Sequence, residues 1–118
     1  MEEKYALFAF NGDAMCFVHV LLNALDMNEN GYVVKVIIEG SSTALIKKFH
    51  DEKEDAPFYN LYKKVANEGL IDAVCKACAT KMGSIDEARA EGLPIVGDMS
   101  IHPSMSQYTK KGFEIIIF

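Results

Sequence analysis

The fold is decided by two apolar stretches, Tyr5-Ala6-Leu7-Phe8-Ala9-Phe10 and Tyr32-Val33-Val34-Lys35-Val36-Ile37-Ile38. Both are nearly unbroken and rich in aromatic or β-branched residues, a pattern typical of parallel strands that are covered on both faces. Between them, Asp13 is suited to cap a helix over residues 14–27, and Asn30-Gly31 is suited to a left-handed helix end. This region therefore predicts a βαβ unit.

The rest of the chain continues to alternate helices with strands. Helices are predicted after Ser41-Ser42 and over residues 58–68, 76–82, 84–90 and 103–112, the last one beginning at Pro103 and ending at Gly112. Strands are predicted at residues 71–75, 94–97 and 113–118. The acidic residues 51–55 are expected to form a solvated surface loop. This alternation predicts an α/β fold of one domain over residues 1–118, with a largely parallel sheet and helices on both faces.

The charge balance limits the classes of partner. The chain has 12 Lys and Arg against 17 Asp and Glu, a net charge of −5, and so lacks the basic surface that neutralises phosphates. Nucleic acid and membranes are therefore not expected as partners. The longest apolar-rich stretch, residues 14–25, is shorter than the ~20 residues that span a bilayer. The three cysteines, an odd and sparse set, favour a reducing cytoplasm over a disulfide-rich secreted class.

The predicted sheet also indicates where a ligand would bind, because parallel α/β sheets bind ligands outside the carboxyl ends of their strands. The binding candidates on that rim are Asn11, Asp13, Glu39, Gly40, Ser41 and His102. Asp13 and Glu39 are a carboxylate pair suited to acid/base work, but Asp13 is already explained as a helix cap. Neither G-x-G-x-x-G nor a P-loop motif is present, so no cofactor is expected.

Cys75 is the strongest nucleophile on this rim. A thiol at the junction of a strand and a helix lies at the positive end of the helix dipole and near unpaired backbone donors, which favours the thiolate. Lys76 adds positive charge nearby. Cys75 is therefore the predicted reactive residue, with Lys76 in support. The alternative is that Cys75 is a small buried hydrophobic residue, the usual fate of an intracellular cysteine.

Cys78 lies one helical turn after Cys75 and completes a C-x-x-C pair. It is a candidate resolving thiol, or it fills the base of the helix; both redox proteins and metal sites use such pairs. No metal is predicted, because a closed zinc site needs about four ligands and usually a second such pair, and His19, His50 and His102 lack ligand spacing. On the rim, His102 is a candidate to polarise a substrate or hydrogen-bond the thiolate, with a plain loop role as the alternative.

The first predicted helix bears on assembly. Its start, residues 14–22, is apolar on nearly every side, which indicates burial all round. The sheet covers only one face of such a helix, so the other face is expected to pack against another subunit. The alternative is a wholly internal helix, covered by neighbouring helices.

Three motifs carry a resemblance to a known family. They are Val36-Ile37-Ile38-Glu39-Gly40, Val74-Cys75-Lys76-Ala77-Cys78-Ala79-Thr80-Lys81-Met82-Gly83 and Tyr108-Thr109-Lys110-Lys111-Gly112-Phe113. In their order and spacing, over nearly the whole chain, the sequence resembles the DsrE/DsrF-like family of small sulfur-relay proteins. It is most similar to the short, stand-alone members of that family.

The resemblance implies a three-layer α/β/α sandwich with a five-stranded, mainly parallel sheet, assembled as homo-trimers or hexamers. It also implies cytoplasmic sulfur handling, in which a cysteine after the third strand carries a persulfide between a donor and an acceptor protein. Cys75 matches that cysteine. Cys78 stands where relay subunits commonly have a small residue.

The leading hypothesis is thus a sulfur carrier or sulfurtransferase-like protein. Cys75 attacks a donor persulfide and holds the sulfur, Lys76 and backbone amides stabilise the anion, and Cys78 ends the cycle by forming a disulfide. The first alternative is a non-catalytic module that binds a small ligand or a protein, with structural cysteines. The second alternative is a thiol-disulfide oxidoreductase that cycles Cys75 and Cys78.

Overall fold

A computed structural model describes residues 3–118. Within them, the strands are β1 (Lys4–Ala9), β2 (Val33–Ile38), β3 (Ile71–Cys75), β4 (Ile95–Val96) and β5 (Glu114–Ile117). The α-helices are α1 (Ala14–Glu29), α2 (Ala44–Glu52), α3 (Tyr59–Asn67), α4 (Lys76–Lys81), α5 (Ile85–Ala90) and α6 (Met105–Lys110). Short 3-10 turns lie at Gly40–Thr43 and Lys53–Asp55.

The strands form one all-parallel, five-stranded sheet in the order β4-β3-β2-β1-β5. The chain steps from β1 to β4 in one direction and then returns across the sheet to place β5 beside β1. Right-handed crossovers in opposite directions put their helices on opposite faces, so α6 covers the face opposite to that of the preceding helices. The predicted α/β/α fold with a five-stranded parallel sheet is confirmed.

Side chains of β1 alternate between the two faces of the sheet. Leu7 and Ala9 belong to the larger core cluster, whereas Ala6 and Phe8 belong to the smaller one beneath α6. There, the ring of Phe8 meets that of Tyr108 edge-on, with 5.5 Å between centroids. Because both faces are covered, the sequence of β1 is a nearly unbroken run of apolar residues and does not alternate apolar with polar residues.

Helix α1 begins as predicted and ends slightly later. The Oδ1 atom of Asp13 accepts a hydrogen bond of 2.7 Å from the backbone N–H of Met15, which makes Asp13 the N-cap. The helix stops before Gly31, whose φ of 83° lies in the left-handed region. Within residues 3–118, no helix is long and apolar enough to cross a bilayer.

The expectation that α1 is buried all round is wrong for the single chain. Phe17, Val20 and Leu21 are buried in the core, whereas Met15 and Leu22 are exposed on the outer side of the helix. The reason is that α1 lies on the outside of the sheet, where none of residues 3–118 covers its outer side. The alternative of a wholly internal helix is also wrong, and packing against another subunit stays a prediction.

Two local predictions differ from the structure. The acidic stretch over residues 51–55 is exposed but helical. Its first two residues end α2, where the ion pairs Lys47–Asp51 and Lys48–Glu52 support the last turn, and the other three form the 3-10 turn Lys53–Asp55. Pro103 precedes α6 and does not begin it, because Ser104 takes the extended cap conformation, with φ −97° and ψ 121°.

Candidate functional site

Side chains that carry sulfur, nitrogen and oxygen donors meet at the carboxyl edge of the sheet. They are Glu39 after β2, Cys75 at the end of β3, Cys78 in α4 and His102 in the segment after β4. Parallel strands bring their carboxyl ends to one edge. The donor atoms of these four residues all lie within 4.8 Å of one another, so segments distant in sequence build one cluster.

Cys75 joins the strand to the helix and caps α4. Its backbone is extended, with φ −62° and ψ 118°, and its Sγ accepts a hydrogen bond from the backbone N–H of Cys78, with 3.4 Å between nitrogen and sulfur. Residues three apart at a helix start lie on the same side, which brings the two thiols together. Cys75 is fully buried, whereas Cys78 is half-buried.

A tight reverse turn positions His102. The backbones of Met99 and His102 exchange two hydrogen bonds of 2.8 Å. The central residues Ser100 and Ile101 have φ values of 47° and 71°, which cost about 1–3 kcal/mol each for residues other than glycine. The backbone N–H of Ala77 donates to the carbonyl of Ile101 over 3.1 Å. The start of α4 therefore holds a strained turn in the place where it presents His102 to the thiols.

The imidazole of His102 contacts both thiols. Its Nδ1 atom lies 3.0 Å from Sγ of Cys75 and 3.8 Å from Sγ of Cys78. The same nitrogen lies 4.0 Å from Oε1 of Glu39. An imidazole nitrogen at these distances can take the proton of either thiol and return it.

The electrostatics of the cluster contradict one expectation. Burial raises the pKa of the Cys75 thiol to about 12; the N–H of Cys78 lowers the pKa, but the Cys78 thiol and the Glu39 carboxylate raise it further. Burial also raises the pKa of Glu39, against the opposing effects of His102 and of a hydrogen bond with Cys75. The prediction that the helix start holds Cys75 as a thiolate is therefore wrong, because loss of solvent outweighs the backbone donor.

A pocket of about 450 Å³ opens beside the cluster. It is lined by Gly40, Ser41, Ala77, Cys78, Lys81, Met82 and His102. Cys75 and Glu39 are absent from this lining and are buried behind it. A molecule that enters the pocket therefore meets the thiol of Cys78 and the ring of His102 before it meets Cys75.

The loop after β2 shapes one wall of this pocket. Gly40 has a φ of 57°, and a Cβ atom there would lie 3.0 Å from the carbonyl oxygen of Phe10, so the position requires glycine. The Oγ atom of Ser41 accepts from the backbone N–H of Gly12 at 2.9 Å and donates to the carbonyl of Phe10 at 3.1 Å. These contacts tie together the loops after β1 and β2.

Three predicted site residues lie outside both the cluster and the lining of its pocket. Asn11 is exposed, and its Oδ1 accepts from the backbone N–H of Asp13 at 2.8 Å. Asp13 caps α1, whereas Glu39 faces His102, so the predicted carboxylate pair is replaced by a carboxylate–imidazole contact. Lys76 is exposed, and the groups that set the pKa of Cys75 do not include it. The predicted support of a Cys75 thiolate by Lys76 therefore stays a prediction.

Sequence reasoning missed that this cluster is also a set of metal-ligand types. It rejected a metal because a second C-x-x-C pair is lacking and the histidines are scattered. The structure supplies the further donors from the loops after β2 and β4, namely Glu39 and His102. The signal was present in the sequence, because both residues follow strands of the parallel sheet that also carries Cys75.

Comparison with known proteins identifies relatives of the chain. No protein-family model matches the sequence. The chain is 30% identical over 99 residues to the uncharacterized protein MJ0733 of Methanocaldococcus jannaschii, an alignment that covers 84% of this chain and 77% of MJ0733. It is 45% identical over 49 residues to an uncharacterized protein of Archaeoglobus fulgidus, which covers 42% of this chain and 80% of that protein.

A solved structure shares the fold. The conserved protein of unknown function BT1422 from Bacteroides thetaiotaomicron matches with a TM-score of 0.68, over 98% of this chain and 95% of that chain. The sequence identity is 15%, so this likeness concerns the fold alone. By the identity and coverage that it shares with MJ0733, the chain belongs to the same family as that archaeal protein.

Proposed function

We propose that the chain is a sulfur carrier similar to DsrE/DsrF-like proteins, in which Cys78 takes up sulfane sulfur at the pocket. The observation that carries the proposal is the arrangement of the two thiols: Cys78 lines the pocket, and Cys75 is buried behind it beside His102. The sequence favoured Cys75 as the persulfide residue. Its burial is the reason to assign uptake to Cys78.

The proposed step is the attack of a thiolate on a persulfide. Nδ1 of His102 takes the proton of Cys78, and Sγ of Cys78 attacks the outer sulfur of a donor R–S–S–H. A bond forms between Sγ and that sulfur, the S–S bond of the donor breaks, and R–S⁻ leaves and takes up the proton. The products are a Cys78 persulfide and the free donor thiol, with no net oxidation.

Cys75 is the residue that decides how long the sulfur is held. Attack of its Sγ on Sγ of the Cys78 persulfide would form a disulfide and release HS⁻, and a dithiol reductant would then be needed to restore the thiols. Burial raises the pKa of Cys75 to about 12, which favours the protonated thiol, a poor nucleophile. This favours a carrier, whose sulfur awaits an acceptor thiol, over a thiol-disulfide oxidoreductase.

A second candidate function is a non-catalytic module that binds a small ligand. The observation that favours it is the pocket of about 450 Å³, whose walls at Gly40 and Ser41 are fixed by backbone contacts. In that case the thiols are structural, and Cys75→Ser, which removes a thiol outside the pocket lining, leaves the protein's ligand binding unchanged.

The proposal also specifies the cellular compartment, the oligomeric state and the partners of the chain. A reducing compartment such as the cytoplasm keeps Cys75 and Cys78 as free thiols. A homo-oligomer, a trimer or hexamer by resemblance, would cover the exposed apolar side chains of Met15 and Leu22 on α1 and Ile117 on β5. The remaining partners are a donor and an acceptor protein for sulfur.

Persulfide loading followed by mass spectrometry tests the proposal. Trypsin cleaves after Lys64, Lys76 and Lys81, so Cys75 falls in residues 65–76 and Cys78 in residues 77–81. We expect the reduced, metal-free chain to gain one sulfur atom on the Cys78 peptide after treatment with a persulfide donor. Cys75→Ser should still load, and Cys78→Ser should not.

The matched control is Cys16→Ser, which removes an exposed cysteine of α1 and should load like the unmodified chain. Sulfur on the Cys75 peptide would contradict the role of Cys78. Absence of added sulfur on both peptides would contradict a sulfur carrier.

A further inference from the structure

We propose that Glu39, Cys75, Cys78 and His102 together bind one zinc-type divalent cation. The inference does not depend on the sulfur-carrier function, because it concerns the four donors and not the fate of a persulfide. It rests on their separations, their chemistry, their burial and the contacts that hold them.

The donor atoms have separations suited to a four-coordinate ion. Nδ1 of His102 lies 3.0 Å from Sγ of Cys75, 3.8 Å from Sγ of Cys78 and 4.0 Å from Oε1 of Glu39. Zinc bonds of about 2.3 Å to sulfur and about 2.0–2.2 Å to nitrogen or oxygen place tetrahedral ligands roughly 3.3–3.8 Å apart. The three separations from Nδ1 bracket these values, and all four donor atoms lie within 4.8 Å of one another, so a central ion requires side-chain shifts of about 1 Å.

The donor types select the class of ion. Two thiols, one imidazole and one carboxylate suit zinc, whereas magnesium and calcium prefer a shell of oxygen atoms. The C-x-x-C pair supplies two ligands from one helix start, and the loops after β2 and β4 supply the other two. Cys16 lies exposed on α1, outside the cluster.

Glu39 is the strongest indication that a cation belongs in the cluster. It is only 6% exposed, and its one ion pair within residues 3–118 is the 4.0 Å contact with His102. A buried carboxylate is costly unless a positive charge compensates it. A divalent ion between Glu39 and the two sulfurs would supply that charge.

The surrounding backbone already provides the outer contacts that metal sites use. The N–H of Cys78 donates to Sγ of Cys75, and such outer contacts orient metal ligands and tune their basicity. The contact of Ala77 with Ile101 holds the strained turn that presents His102. The ligands are therefore placed by the fold before any ion arrives.

Metal occupancy and sulfur uptake exclude each other, because both use Sγ of Cys78. An ion would hold both thiols as coordinated thiolates and close the site to a donor persulfide. Loss of the ion would release the dithiol for sulfur uptake.

Calorimetric titration of the reduced, metal-free chain with Zn²⁺ tests the inference, with Co²⁺ as a spectroscopic probe. We expect one ion per chain, and a cobalt spectrum with thiolate-to-metal charge transfer and intense visible bands of tetrahedral coordination. His102→Ala should weaken binding by at least about 100-fold and Glu39→Gln by about 10-fold, since even outer-shell substitutions cost about 10–100-fold. Cys16→Ser and His19→Ala, at exposed positions of α1, should bind like the unmodified chain.

Absence of saturable binding would overturn the inference, and so would an unchanged affinity in both His102→Ala and Glu39→Gln. The cobalt spectrum of the unmodified chain keeps the test valid if a variant fails to fold. A chain that binds zinc but never gains sulfur supports this site and contradicts the sulfur carrier. A chain that gains sulfur but does not bind zinc contradicts this site and supports the sulfur carrier.

Discussion

Nδ1 of His102 lies 3.0 Å from Sγ of Cys75, although the two residues stand 27 positions apart in the chain. β3 ends at Cys75 and β4 is its neighbour in the sheet, so the loop after β4 passes beside the start of α4. The left-handed turn at Ser100 and Ile101 fixes the ring there. The geometry of the whole cluster therefore depends on a strained turn.

Ile101→Gly relieves that strain. Ile101 is exposed and has a φ of 71°, so Ile101→Gly and Ile101→Ala remove nearly the same side chain, but only glycine accepts this φ freely. We expect the free energy of unfolding of the glycine variant to exceed that of the alanine variant by about 1 kcal/mol. Urea denaturation of both variants measures this difference, and equal or reversed stabilities would show that the turn is not strained.

Gly40→Ala should cost more stability than Gly31→Ala. Both glycines have positive φ, so both variants are strained, but only at position 40 would the new Cβ press on a neighbour, the carbonyl oxygen of Phe10 at 3.0 Å. The additional loss at Gly40 should be about 1 kcal/mol or more. Denaturation curves of the two variants provide the comparison. A larger loss at Gly31 would contradict the close packing of the two loops.

Cys75 should make the stability of the metal-free chain fall at alkaline pH. Its pKa is raised by burial from 9.0 to about 12, so the folded state holds this proton more tightly than the unfolded state. The contribution is fully present below pH 9.0 and is lost as pH rises through about 12. Unfolding free energies between about pH 8 and pH 11 should fall less steeply in Cys75→Ser.

The comparison with Cys75→Ser is needed because burial also raises the pKa of Tyr62 and of Tyr108. Both tyrosines titrate in the unmodified chain and in the variant, so their effect cancels in the difference between the two slopes. Identical slopes would show that Cys75 is solvated in the folded chain.

Leu22→Asp should dissociate the expected homo-oligomer. Leu22 is 46% exposed on the outer side of α1, where a subunit contact would bury it and where a charge would be costly. Asn60→Asp adds the same charge on the exposed surface of α3 and serves as control. Light scattering should give a multiple of 13.1 kDa for the unmodified chain and the control, and a monomer for Leu22→Asp. A monomeric unmodified chain would contradict the assembly.

The fold was predictable because its signals are local. The apolar runs of β1 and β2, the cap at Asp13 and the stop at Gly31 each depend on a few neighbouring residues. Alternation of strands with helices and the handedness of crossovers then leave few arrangements of a parallel sheet. The same rules place Glu39 on the edge of the sheet that carries Cys75.

The chemistry of the site was less predictable because it depends on burial. A helix start lowers the pKa of a thiol by a local effect that the sequence reveals. Burial of Cys75 depends on tertiary packing, and the nearby Cys78 thiol and Glu39 carboxylate raise its pKa further. The turn at Ile101 has left-handed residues that are not glycine, so no sequence signal marks it. The turn sets the distance from His102 to the thiols, and no sequence motif indicates that distance.

The rate of alkylation at each cysteine tests most directly the central claim that Cys78 is the working thiol and Cys75 its buried partner. A short pulse of iodoacetamide on the folded, reduced, metal-free chain, followed by trypsin, measures the two residues on separate peptides. We expect Cys78 to react at least about 100-fold faster than Cys75, and we expect unfolding to make the two rates equal. Equal rates in the folded chain, or faster reaction at Cys75, would contradict that claim.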